Sequence, residues 1–307
     1  MGVDLAITLG GARLANPIVT ASGCFGSGKE MSRFVDLRSL GAVVCKTVTP
    51  EPRLGISPPR GAETASGMLN AIGLQNPGVA AFREGDLVWL AERNVPAIAS
   101  VGGHSVADYV RCIEALRGAA GLVAIELNLS CPNLEDRGFM FALSAERTAE
   151  VTAAARAASD VPVFCKLSPD VTDIVAIAEA ATGAGADGLS LINTTLGMAI
   201  DPLTFRAKLS TGTGGLSGPA IKPIAVRCIW QVHRALPHVP IIGMGGIAGV
   251  EDAVEMILAG ATAVAVGTAN FYDPTATETI ARALADFCEA HGIASLDEIR
   301  GQVKIEG

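Results

Sequence analysis

The chain has 307 residues, half of them hydrophobic but only 4% aromatic, and a net charge of −8. With no basic block and few rings to stack on bases, this composition excludes a nucleic-acid reader, whose phosphate contacts need clustered Lys and Arg. Seven scattered cysteines without a C-x-x-C pair exclude a disulfide framework, a zinc or other metal site and an iron–sulfur ligand set on this chain.

In chain order, Met1 to Thr8 lacks the basic-then-apolar pattern of a signal peptide. Residues 3–16 hold two short alternating runs around Gly10-Gly11 and predict a hairpin. From there, short β-branched runs alternate with Ala-rich stretches. Strands are expected near 18–21, 42–46, 97–101, 123–129, 163–167, 187–192, 240–243 and 263–267. Helices are expected near 28–38, 78–93, 105–117, 144–158, 172–183, 219–236, 249–259 and 274–290. Eight such units predict an α/β fold, a (β/α)8 TIM barrel forming one domain over 1–307, with the hairpin capping its bottom. A doubly wound open sheet competes, but the regular units and the lack of an early G-x-G-x-x-G favour closure. The connections 50–77 and 195–218 are rich in Pro and Gly and are expected as long top-face loops, where barrel chemistry sits. The longest uncharged runs, 64–82 and 256–272, are broken by Gly and Asn, so neither reads as a membrane span and a cytoplasmic location is expected.

Polar residues crowd the carboxyl ends of these strands. Strand seven runs into Gly243-Met244-Gly245-Gly246 and strand eight into Gly267-Thr268, the two places where barrels commonly cradle a phosphate on backbone N–H groups. Glycine suits that task because a side chain would hold the backbone away from the oxygens. Alone, G-x-G-G is as well read as a tight turn; its place after strand seven and its match after strand eight favour the phosphate. Lys46 ends strand two and Lys166 ends strand five. One such lysine is ordinarily a snorkelling side chain, whereas two converging on one mouth point to a shared anionic ligand. Asn70, Asn128, Asn133 and Asn193 fall on strand ends or top loops, and each offers both donor and acceptor to a planar polar ring, although any single one is better read as a turn residue. Cys131 lies in a loop between a polar strand end and a proline, open to proton transfer. The other cysteines sit mostly in apolar or helical contexts as small hydrophobes. Gly138 offers that loop a lid hinge.

The segments Asn128-Leu-Ser-Cys-Pro-Asn133, Asn70-Ala-Ile-Gly-Leu-Gln-Asn-Pro-Gly78 and Gly212-Thr-Gly-Gly-Leu-Ser-Gly-Pro-Ala-Ile-Lys-Pro223 resemble the dihydroorotate dehydrogenases, specifically the NAD-linked class 1B catalytic subunits. The resemblance runs from about Leu5 to the last helix. It implies FMN-dependent oxidation of (S)-dihydroorotate to orotate in pyrimidine biosynthesis, with Cys131 taking the C5 proton and the C6 hydride passing to flavin N5. Lys46 would lie beside both flavin and substrate. Asn70, Ala71, Ile72, Gly73, Leu74, Asn128, Asn133, Asn193 and Thr194 would hold the substrate. Ser22, Lys46, Thr47, Ser100, Asn128, Lys166, Ile192, Gly218, Gly245, Gly246, Gly267 and Thr268 would hold one FMN.

Two stretches depart from the family pattern. Ser100 stands where the family usually has an asparagine, and is kept as a contact because a hydroxyl also accepts and donates. Leu134 to Ala142 replaces a glycine-rich pattern. The resemblance also implies a catalytic homodimer within a heterotetramer, whose second subunit carries FAD and [2Fe–2S] and delivers electrons to NAD. Other functions remain open: the same reaction with fumarate as acceptor, oxidation of a neutral dihydropyrimidine such as dihydrouracil, or a silent barrel that only binds a phosphate ligand or a partner.

Overall fold

The computed structural model describes residues 3–129 and 141–305. Eight parallel strands form one sheet: β1 (Ile18–Thr20), β2 (Val43–Val44), β3 (Ala97–Val101), β4 (Leu122–Asn128), β5 (Val163–Lys166), β6 (Gly188–Leu191), β7 (Ile241–Met244) and β8 (Ala263–Val266). Each pairs with its sequence neighbour, and β8 returns to β1 with Val264 opposite Ile18. The remaining seam, β1 to β2, is closed by the parallel bridge between Val19 and Ala42 and by Gly41 N–H donating to Ile18 C=O at 2.8 Å. The result is the expected (β/α)8 barrel. Nearly continuous burial along every strand reflects a sheet covered on one side by helices and filled on the other by side chains.

Local chemistry sets the helix starts. Ser105 and Asp108 form a reciprocal capping box before Val106–Leu116, Ser144 caps Ala145–Ala158, and Asp173 caps Ile174–Gly183. Helices Lys222–Ala235, Val250–Ala259 and Ala276–Ala290 complete the later units, with a short turn of helix, Ala269–Tyr272, added after β8. The hairpin pairs Ile7–Leu9 with Ala12–Leu14. Its tip meets the entry of β5: a methyl added at Gly10 would stand 2.8 Å from Pro162 Cβ and 3.0 Å from the Phe164 ring. This places it at the barrel bottom.

Two expectations change. Residues 28–38 hold no α-helix but two 3-10 turns, Met31–Arg33 and Leu37–Ser39. Gly28 takes φ 90°, and the Asp36 carboxylate accepts from Arg38 N–H to start the second turn afresh, so no continuous ladder forms. The two long top-face connections are also more ordered than loops. They pair as a four-stranded antiparallel sheet, in the order Thr195–Met198, Thr213–Ser217, Gly67–Asn70, Gly61–Thr64. Leu69, Ala71 and Leu209 make a small second core under it. Among the described residues no helix is long and apolar enough to cross a membrane.

Candidate active site

The carboxyl ends of the strands open into one cleft with two chambers. The first encloses about 720 Å³ and is lined by Ile192, Gly218, Gly245, Gly246, Gly267 and Thr268, among others. The second encloses about 860 Å³ and is lined by Lys46, Thr47, Asn70, Ile72, Leu74 and Asn128, among others. Ser22, Cys24, Lys166, Asn193, Thr194 and Ser217 border both, so the chambers communicate.

Glycines at the ends of β7 and β8 line the first chamber. Gly245 and Gly246 follow β7 with φ 125° and 81°, positive values that side chains disfavour and glycine adopts freely. A methyl on Gly246 would meet Lys222 N at 2.9 Å and Gly218 O at 3.0 Å, so the loop packs directly on the start of helix Lys222–Ala235. Across the chamber, Thr268 Oγ1 donates to Ser217 Oγ at 2.9 Å.

A hydroxyl and amide network floors the second chamber. Ser22 Oγ donates to Cys45 C=O at 2.8 Å and lies 3.2 Å from Thr47 Oγ1. Asn128 Nδ2 donates to Thr47 Oγ1 at 3.1 Å, and Asn193 Nδ2 to Asn128 Oδ1 at 3.4 Å. Tyr109 steadies this end of β4 from behind, its hydroxyl donating to Asn128 C=O at 2.8 Å. Asn70 Nδ2 donates to Gly215 C=O at 3.3 Å, which ties the top sheet to the chamber wall. The two lysines anticipated at the mouth both line this chamber, and a methyl on Gly23 would lie 3.5 Å from Lys46 Nζ.

Three of the expected contacts do not reach the wall. Ser100 is fully buried and spends its hydroxyl on Thr47 Oγ1 at 2.9 Å, so it supports Thr47 from below. Ala71 is buried in the small core under the top sheet. Gly73, with φ 74°, packs against Gly55 and Ile56. The turn they share is what aims Leu74, itself left-handed at φ 54°, into the chamber. Cys131, Asn133 and Gly138 lie outside the described residues.

Several wall residues carried no expectation: Met68 and Ser217 on the top sheet, Phe271 and Tyr272 at the exposed rim, and Cys24. Whereas Cys45, Cys112, Cys165, Cys228 and Cys288 are buried, Cys24 is partly exposed in the cleft. Burial pushes the Cys24 thiol up, against the pull of Lys166 and Lys46, so it stays protonated at neutral pH. Ser217, next to Gly218 in a quoted motif, was the one among these with a usable signal.

Fold and site together define a (β/α)8 barrel whose glycine-lined chamber after β7 and β8 opens into a second one lined by two lysines and a set of asparagines. The family model for dihydroorotate dehydrogenase matches residues 4–288, and the chain belongs to that family. It is 52% identical over 298 residues to the dihydroorotate dehydrogenase B (NAD(+)) catalytic subunit of Geobacillus kaustophilus, covering 97% of this chain and 95% of the relative. It is 54% identical over 288 residues to the subunit of the same name from Latilactobacillus sakei, with 93% and 94% covered. The Listeria innocua subunit is 50% identical over 299 residues, with 97% and 98% covered.

Proposed function

We propose that the chain is the catalytic subunit of an NAD-linked dihydroorotate dehydrogenase, a cytoplasmic single-domain barrel that oxidises (S)-dihydroorotate to orotate with one FMN. The observation that carries this is the continuity of the cleft: a glycine cradle at one end, and Lys46, Lys166, Asn70, Asn128 and Asn193 converging at the other. The donor set fits the cofactor. A ribityl phosphate suits the N–H groups of Gly245, Gly246, Gly267 and Thr268, while a flavin ring edge suits Ser22, Lys46, Thr47, Asn128 and Lys166, with Ile192 and Gly218 between.

When bound, FMN supplies the hydride acceptor. The chain's own residues do the rest. Asn70, Asn128, Asn133, Asn193 and Thr194 hold the substrate ring, with Ile72 and Leu74 as apolar walls, and fix it for transfer. Lys46, on the wall of the second chamber, would lie beside both ligands. Lys166 neutralises charge that develops on reduction, and preorganised charge of this kind is often the largest catalytic contribution. Cys131 removes the C5 proton. A second subunit carrying FAD and [2Fe–2S], in a heterotetramer built on a catalytic homodimer, would supply the route to NAD.

The test is single-turnover reduction of the bound flavin. Dihydroorotate should bleach the yellow protein rapidly and dihydrouracil should not; the reverse order would transfer the reading to neutral dihydropyrimidines. Cys131→Ala should retain FMN yet slow bleaching by about 10²–10⁴-fold near neutral pH, the ordinary worth of a general base. Unimpaired bleaching removes Cys131 from the chemistry. Co-purification with a flavin and iron–sulfur subunit selects NAD, and turnover with fumarate by the chain alone selects the other acceptor.

A further inference from the structure

Beneath the cleft, the barrel interior departs from hydrocarbon. Such barrels ordinarily fill their layers with Val, Ile and Leu. Here Ser100, Glu126, Lys166 and Ser190 are all buried, one on each of β3, β4, β5 and β6. The ladders set Ser100 opposite Glu126, Asn128 opposite Lys166, and Lys166 opposite Ser190. Two residues before Asn128 on β4, Glu126 shares its face of the strand and lies one step below the chamber that Asn128 lines. Glu126 Oε1 stands 3.7 Å from Lys166 Nζ, with the carboxylate wholly inaccessible and the lysine side chain 8% exposed. Neither Glu126 oxygen has a hydrogen-bond partner, nor has Ser190 Oγ.

Stability does not account for this carboxylate. Taking two charges out of water often costs more than their attraction returns, and apolar residues of similar volume commonly serve a core as well or better. What the carboxylate does have is a lysine at the wall of the ligand cleft within its reach. We propose that Glu126 is a positioning residue: it holds the Lys166 ammonium at the cleft floor and tempers the positive field that this lysine presents to the bound redox ring. This rests on the flavin reading above. A lysine alone would favour the reduced, more negative ring. A buried carboxylate behind it subtracts from that preference and keeps the reduced ring a willing donor to the next carrier.

Glu126→Gln keeps the shape and removes the charge. At a fixed dye potential its ratio of reduced to oxidised flavin should rise about tenfold over wild type, about 30 mV for a two-electron couple. Glu126→Asp keeps the charge and should stay within about twofold of wild type, a rescue that a merely space-filling role would not give. An unchanged or lower potential in Glu126→Gln overturns the proposal.

Melting temperatures supply a second arm that needs no turnover. Lys166→Met leaves an unpaired buried carboxylate, so the double variant Lys166→Met/Glu126→Gln should melt above the single one. A double variant no more stable than the single also overturns the proposal. A wild-type protein that takes up no flavin defeats the functional reading instead, while the melting comparison still reports on the pair.

Discussion

Gly246 carries no side chain, holds φ 81°, and lies where an added methyl would stand 2.6 Å from Lys222 Cβ and 2.9 Å from Lys222 N. Alanine there is disfavoured twice, by the left-handed backbone and by contact with a helix start that cannot easily retreat. Gly246→Ala is therefore expected to weaken FMN binding at least tenfold, about 1.4 kcal/mol, in a fluorescence titration of the apoprotein. Binding as tight as wild type would deny the loop its role as a cradle. Positions of this kind stood out in the sequence because glycines follow two adjacent strands, seven and eight, and the lysines because a charge ending an apolar run is conspicuous. Met68, Phe271 and Tyr272 did not, since an apolar residue at a cleft rim has no mark that separates it from one in the core. Glu126 carried no expectation, because its partner Lys166 lies on another strand and only the ladder brings them together. Ser100 was expected as a contact and lies fully buried beneath Thr47. Alternation says which face of a strand a residue takes, not how far below the mouth it sits.

Helix Val250–Ala259 shows how a single carboxylate can hold both a helix start and its neighbour. Asp252 accepts from Ala248 N at 2.8 Å and Gly249 N at 3.1 Å, closing the first turn, and meets Lys222 Nζ at 2.6 Å. Glu255 joins the same ammonium at 2.7 Å. The starts of helices Lys222–Ala235 and Val250–Ala259 are thereby pinned beside the cradle. Desolvation opposes the charged form of Asp252, but the Lys222 ammonium and the two N–H groups outweigh it and hold its carboxyl below the usual range. The native state thus binds fewer protons than the unfolded chain, and the stabilisation is full above the unfolded carboxyl value of 3.8 and fades as pH falls through the lower, native one. Asp252→Asn should cost about 1–2 kcal/mol in denaturant unfolding at neutral pH, the usual worth of a cap with a charged partner. Its gap to wild type should narrow below pH 3.8; a gap independent of pH would mean that the charge contributes nothing. Caps of this kind made most helices readable to within a few residues. Helix 28–38 failed because Gly28 and Asp36 interrupt a stretch whose composition is otherwise helical. The top sheet stayed hidden because its strands are short, half exposed and rich in glycine, so neither alternation nor β-branched content marks them.

At the scale of the whole molecule, the barrel itself was the most legible feature, because eight repeats of one pattern overdetermine it. What the pattern does not announce is the surface left by the excursion between β6 and helix Lys222–Ala235. Leu196, Met198, Ile200, Leu203 and Phe205 follow one another along it, with Leu203 and Phe205 both 88% exposed. A scattered apolar residue on a surface needs no explanation, but five within ten positions of one excursion mark an interaction site. The strand from Thr195 continues directly from Asn193 and Thr194, which line both chambers. We assign this surface to the homodimer proposed above. Apolar groups buried in such a contact would contribute roughly 25 cal/mol per Å² before the costs of association. Leu203→Ser/Phe205→Ser is therefore expected to sediment as a monomer at micromolar concentration where the wild type sediments as a dimer. Neither residue lines the cleft, so the variant should still bind FMN. A variant that remains dimeric would move the interface to another face, and one that loses FMN together with its partner would show that the cleft needs the second copy to hold its shape.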